Sequence, residues 1–184
     1  IIIRFEKPTE GIWNLQVYGA DEAAREFHLW LPITGFADPD ITFLSPNPYT
    51  TLTSPSTPDT ILTTGAYQAA TGSLYIHSSR GYTADNDVKP DFVSPGVDVT
   101  GPGSLGSYVD KTGTSAAAAL AAGASALLIQ WGMERTPSRF YTTQELKFYL
   151  IRGAQRDPAL TYPNREWGYG TLDLYNSFLS LMTN

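Results

Sequence analysis

The sequence predicts an α/β fold, and three observations carry that reading. Short apolar runs of β type lie at 61–67 (Ile-Leu-Thr-Thr-Gly-Ala-Tyr), 73–76 (Ser-Leu-Tyr-Ile) and 92–93 (Phe-Val). An alanine-rich run, almost free of polar residues, follows from Ala116 to Gln130. Strands succeeded by a long apolar helix are the pattern of sheet and helix stacked in layers. Third, residues 1–36 read as β alone, and a proline-rich segment separates them from the rest.

Taken in order, Ile12 to Tyr18 alternates, with Ile12, Asn14, Gln16 and Tyr18 opposed to Trp13, Leu15 and Val17. That period of two predicts a strand. Gly19-Ala20-Asp21-Glu22 supplies turn chemistry, and Glu26 to Leu31 reads as the returning strand. Two or three strands cannot cover both of their faces, so this stretch is expected to end a larger β-sandwich, with Trp13 and Trp30 in its core. Residues 37–59 carry Pro39, Pro46, Pro48, Pro55 and Pro58, a density that blocks helix and central strand alike. The expected organisation is therefore a β-domain over 1–36, a connector over 37–59 and an α/β unit over 60–184.

Ala is the best helix former, and Leu120, Leu127, Leu128 and Ile129 give the run apolar bulk, so a buried helix is expected over 116–130. Thr142-Thr143-Gln144-Glu145 resembles a capping box ahead of Leu146, Tyr149, Leu150 and Ile151, and Gly153 can end that helix. A last helix is expected over Leu172 to Met182, after Trp167-Gly168-Tyr169-Gly170.

Composition narrows the function. The 184 residues allow one domain or a little more, and 42% hydrophobic content is enough for a core. Net charge is −6 with no basic cluster, which argues against nucleic acid as a partner. Cysteine is absent, so disulfides, thiol nucleophiles and thiolate zinc sites are excluded. No ligand cluster points to a metal, and nothing points to a cofactor. No signal peptide is visible, and the alanine run is too small-sided to read as a membrane span. A start at Ile1-Ile2-Ile3-Arg4-Phe5, without methionine, reads as the back part of something longer.

Chemistry concentrates at Gly113-Thr114-Ser115, where the alanine helix begins. A hydroxyl there lies near unpaired backbone N–H groups and the positive end of the helix dipole. Two readings follow from position alone. Ser115 is an N-cap, as Ser commonly is, or it is a nucleophile placed where a developing oxyanion is stabilised. His28 and His77 are the only histidines, and Asp91 and Asp98 are the carboxylates that suggest themselves as a triad acid. Both carboxylates read as structural, Asp91 in a loop entering a strand, with Arg80 and Lys89 as exposed ion-pair partners.

Context separates the two readings of Ser115. Lys89-Pro90-Asp91, then Pro95-Gly96-Val97, then Gly113-Thr114-Ser115-Ala116-Ala117-Ala118-Ala119-Leu120-Ala121-Ala122-Gly123 resemble the serine region of the subtilisin-like serine proteases. That family shows roughly G-T-S-M-A-x-P-H-V-A-G. Gly113, Thr114, Ser115, Ala117, Ala122 and Gly123 match it, whereas Ala116, Ala119, Leu120 and Ala121 depart. Ile61 to Tyr67, Ser78-Ser79-Arg80-Gly81 and Gly168-Tyr169-Gly170-Thr171-Leu172-Asp173 fit further family segments in the right order. The resemblance implies the C-terminal part of a three-layer parallel-sheet domain, with Ser115 as nucleophile and Gly113 and Thr114 supporting the oxyanion.

Gly11-Ile12-Trp13, Phe27 to Pro32, Pro48 to Leu52 and Ala121 to Gly132 are similar to the Csp-type subtilases of spore-forming Firmicutes. In that group a jelly-roll domain is inserted ahead of the serine segment, and members process a cortex-degrading enzyme during germination or act as pseudoproteases. The resemblance implies a secreted or spore-associated protein acting on a protein or peptide. In this family the triad runs Asp, His, Ser along the chain. The acid, the base and the oxyanion asparagine would therefore come from an N-terminal part of the same protease domain. The S1 walls, and any peptidase activity of the 184 residues alone, are likewise expected to be missing.

Overall fold

The computed structural model describes residues 3–7, 9–19, 27–32, 36, 38–135 and 137–182. The chain divides into two units, Ile1–Thr42 and Phe43–Asn184.

In the first unit the described residues form neither strand nor helix. The expected strand over 12–18 is irregular chain, as is 27–32, while 20–26, with most of the expected turn, lie outside the described residues. Alternation fixes which way side chains would point in a sheet. A strand also needs a neighbouring edge to take up its N–H and C=O groups. Trp13 and Trp30, expected in a core, are 56% and 53% exposed. Trp13 meets Phe5 edge-on at 5.0 Å, and Trp30 stacks on His28 at 5.5 Å.

The second unit is α/β. Its strands are β1 (Thr64–Gln68), β2 (Ser73–Leu74), β3 (Phe92–Pro95), β4 (Val99–Pro102) and β5 (Tyr108–Lys111). Its helices are α1 (Thr114–Glu134), α2 (Thr143–Gly153) and α3 (Leu174–Met182). One sheet runs β2-β1-β3. β1 and β3 are parallel, in register from Thr64 opposite Phe92 to Tyr67 opposite Pro95, and β2 is antiparallel at the edge. Ala66, Phe92, Val93 and Ser94 have no solvent exposure, as expected of parallel strands covered on both faces. β4 and β5 form a separate antiparallel hairpin, which the sequence pattern does not announce.

α1 packs on β1 and β3, and α2 packs on α3. Phe92, Ala121, Leu128, Leu146, Tyr149, Leu150 and Leu181 share one core. The buried residues of α1 are Ala117, Ala121, Ala124, Leu128 and Gly132, a single stripe at helical spacing. The expected burial on all sides is therefore corrected. Leu120 is 40% and Leu127 50% exposed, because the described elements cover one face only. By length and composition alone α1 would suit a membrane span; here its stripe lies against the sheet.

α2 begins as expected. Thr142 Oγ1 accepts from Glu145 N at 3.2 Å, and Glu145 Oε2 accepts from Thr142 N at 2.9 Å. α3 starts later than the apolar pattern suggests. Leu172 N donates to Val93 O at 2.8 Å, which holds Leu172 to the sheet, and Asp173 Oδ1 accepts from Asn176 N to cap the helix.

Candidate active site

The start of α1 is built from β3 outward. After β3 the chain turns at Gly96, whose N donates to Tyr67 O at 2.9 Å and whose O accepts from Gly113 N at 2.7 Å. A Cβ on Gly96 would lie 2.6 Å from Ala66 Cβ and 3.2 Å from Ala117 Cβ, so only glycine lets sheet and helix meet this closely. Gly113 is the N-cap residue, at φ 144° and ψ 165°, a conformation open essentially to glycine alone.

That geometry decides the role of Ser115 in the helix. The cap is Gly113 and no side chain caps α1, so the N-cap reading of Ser115 is overturned. Ser115 occupies the second position of the helix and is exposed, and among the described residues its hydroxyl has no hydrogen-bond partner. Ala116 N and Ala117 N bond to Gly113 O, whereas Thr114 N and Ser115 N bond to no described backbone group. An uncommitted hydroxyl thus stands beside uncommitted N–H donors at a positive helix end.

Ser115 and Thr114 border a cleft of about 520 Å³. Its other walls come from Leu52, Thr53, Pro55 and Ser56 of the proline-rich segment, from Ile61–Gly65 and Ser79, and from Ala118, Ala121 and Ala122 of α1. Leu52, Thr53, Pro55 and Ser56, within the expected connector over 37–59, thus wall the cleft beside Ser115. Nothing in their composition signals it; only the fold brings them there. None of the described lining residues is titratable, so among them are hydroxyls, that of Ser115 included, but no general base.

Neither histidine is among the residues that line the cleft. His77 is exposed, edge-on to Tyr75 at 5.3 Å, and does not line the cleft. His28 belongs to the first unit. Asp98 accepts from Thr112 Oγ1 at 3.3 Å, and its N donates to the same oxygen at 2.9 Å, which tethers the hairpin to the Gly113 turn. Among the described residues no group of three or more His, Cys, Asp or Glu side chains is placed to hold a metal.

Asp91 is structural, but not in the expected exposed pair. Its Oδ2 accepts from Lys89 Nζ at 2.9 Å and from Thr63 N at 2.7 Å, and its Oδ1 lies 2.9 Å from Lys147 Nζ. Lys89 and Asp91 are fully buried, and Lys147 also bonds to Asp59. Burial disfavours the Lys147 ammonium, but its contacts with Asp59 and Asp91 outweigh that and raise its pKa. The hydrogen bond from Lys147, then its charge, lowers the pKa of Asp59. Arg80 pairs with Glu166 at 3.1 Å, not with Asp91 or Asp98. Ser78 of the Ser-Ser pair is buried and accepts from Ala66 N at 3.0 Å.

The chain is similar to known proteins in sequence and fold. Residues 40–170 match the subtilase family of S8 peptidases. A C5a peptidase of Streptococcus pyogenes is 35% identical over 98 residues, 53% of this chain and 8% of that protein. Serine protease AprX of Bacillus subtilis is 28% identical over 151 residues, 69% of this chain and 31% of that protein. The solved CspB protease of Clostridium perfringens superposes with a TM-score of 0.73 at 34% identity, covering 77% of this chain and 31% of that one. The chain thus spans under a third of the length of each of these three relatives. A family match over residues 40–170, on a parallel sheet leading through a glycine turn into the Ser115 helix, shows that the chain belongs to the subtilase family.

Proposed function

We propose that the protein is a serine endopeptidase in which Ser115 Oγ attacks the scissile carbonyl of a protein or peptide. The hydroxyl loses its proton to a base as the C–O bond of a tetrahedral intermediate forms, and collapse expels the amine and leaves an acyl-enzyme. The observation that carries this reading is the exposed, uncommitted Ser115 hydroxyl beside the free N–H groups of α1, at the edge of a cleft. On this reading Ser115 N supplies one oxyanion donor, with Gly113 and Thr114 in support.

The base, its orienting acid and the oxyanion asparagine belong, on this reading, to an N-terminal part of the same protease domain. A cleft whose described lining has no titratable group requires that contribution. Residues 60–184 are then the C-terminal part of the catalytic domain, and residues 1–36 the end of an inserted jelly-roll domain whose other strands provide the pairing that the described residues among them lack. The resemblance to the Csp-type subtilases adds proprotein processing in spore germination, in a secreted or spore-associated setting, and the likeness to a CspB protease supports that resemblance. No metal or cofactor enters the mechanism.

The second reading is a pseudoprotease acting as a scaffold, favoured by the same lack of a base in the described cleft. A fluorophosphonate probe applied to the full protein separates the two. Adduct mapped to Ser115 supports the endopeptidase; an intact, folded protein that takes no label rejects it. The 184 residues alone should show no peptide turnover, and turnover abolished by Ser115→Ala would overturn that expectation.

A further inference from the structure

We propose that Arg165 is a positioning residue for the cleft beside Ser115, acting through the two chain segments that form its wall. This deepens the reading of Ser115 as a nucleophile and rests on it.

The guanidinium carbon of Arg165 lies 5.1 Å from the ring centre of Tyr49 and 5.1 Å from that of Tyr82. A planar cation in contact with two aromatic rings links segments far apart in sequence. Backbone bonds complete the link. Gly81 N donates to Arg165 O at 2.8 Å, Thr50 N to Gly81 O at 3.2 Å, and Thr51 N to Arg80 O at 2.9 Å. Arg80 N donates to Thr51 Oγ1 at 2.9 Å, and Arg80 pairs with Glu166. Segments 49–51, 80–82 and 165–166 are therefore one knot.

The cleft wall starts one residue away from that knot on both strands of chain. Leu52 and Thr53 follow Thr51, and Ser79 precedes Arg80; all three line the cleft with Ser115. Residues 52–56 belong to no strand or helix, so no sheet ladder holds them in place. Tyr49, Tyr82 and Arg165 do not themselves line the cleft, so any effect on ligands passes through the wall. Arg165 thus governs how an extended peptide is held, while the hydroxyl and N–H donors of α1 are left as they are.

The test compares two covalent probes on the full protein: a small fluorophosphonate, which needs the activated nucleophile but little of the cleft, and a tetrapeptidyl diphenyl phosphonate, which must also fit the cleft. Arg165→Ala should slow the peptidyl probe by about tenfold and the small probe by less than about twofold, the loss expected when a cation–π contact with two rings goes. Arg165→Lys, which keeps the charge but not the planar guanidinium, should fall between, at roughly threefold. Arg135→Ala removes a cation–π contact with Trp131, outside the cleft, and should change neither rate. Equal slowing of both probes by Arg165→Ala, or no change in either, overturns the proposal. If the wild-type protein takes neither probe, the nucleophile reading fails, and amide exchange then decides the knot itself. Exchange at Thr50, Thr51 and Gly81 should speed up by about tenfold in Arg165→Ala with the α1 amides unchanged, and unaltered exchange there overturns it.

Discussion

Lys89 and Asp91, two residues apart in sequence, form an ion pair at 2.9 Å from which solvent is excluded. The pair is bound into the fold from three sides. Lys89 Nζ also donates to Ile61 O at 2.5 Å, Thr63 N donates to Asp91, and Lys147 of α2 reaches the second carboxylate oxygen. It ties the chain before β1 and the start of β3 to α2, behind the cleft. Asp91→Asn removes the one charge that compensates Lys89 in the interior. Unfolding in denaturant should show a loss of about 3–5 kcal/mol, the cost of leaving a buried charge unpaired. A loss of under about 1 kcal/mol, the size of an exposed pair, contradicts this role.

Ser115→Ala should abolish fluorophosphonate labelling of the full protein yet hardly alter its stability. The hydroxyl is exposed, has no partner among the described residues and does not cap α1, so unfolding free energy should change by less than about 0.5 kcal/mol. Had Ser115 been the N-cap, the same change would cost about 1 kcal/mol. Denaturation curves of the two proteins distinguish these outcomes.

Gly113→Ala tests the turn that aims Ser115. At φ 144° an alanine is strained even though its Cβ would meet nothing nearer than Ser115 N, at 3.9 Å, and the cost should be about 1–3 kcal/mol. Relief of the strain shifts the first turn of α1, so labelling at Ser115 should slow in the fraction that stays folded. Wild-type labelling in a fully stable variant would show that the turn does not depend on glycine.

Acid should loosen α2 from its N-terminus. The backbone hydrogen bond from Thr142, followed by side-chain bonds from Arg139 and Thr142, holds the Glu145 carboxyl at about 2 against 4.5. Because the folded-state pKa is the lower one, the unfolded chain binds the proton first. The contribution of this carboxylate is complete above the unfolded pKa and is lost as pH falls from about 4.5 through 2. Amide exchange in the first turn of α2 should accelerate over that window. In Glu145→Gln, which keeps an acceptor without a titrating proton, that acceleration should shrink.

Local signals were legible where the determinants are local. The Thr142–Glu145 box lies within four residues, and the helix propensity of the alanine run is a property of each residue in it, so both helices stand close to where the sequence puts them. The hairpin of β4 and β5 was not legible. Val99–Pro102 contains Gly and Pro, and all four residues of Tyr108–Lys111 are exposed, so neither strand carries an apolar alternation. At 12–18 the reverse holds, since the alternation is there and no strand forms among the described residues. Period two is a statement about side chains, while a strand is made by partners for its backbone.

The sequence alone determined the family motif, the α1 and α2 helices, and Ser115 as the residue to watch. These depend on identity and short-range spacing, which a linear text contains in full. Only the tertiary structure decided that glycine and not serine caps α1, that one face of α1 is covered, that Asp91 is paired inside the protein, and that residues 52–56 stand beside Ser115. Each of these joins groups many residues apart or depends on backbone conformation. Burial, ion pairing and the shape of a cleft arise from distances in space, and the chain acquires those only by folding.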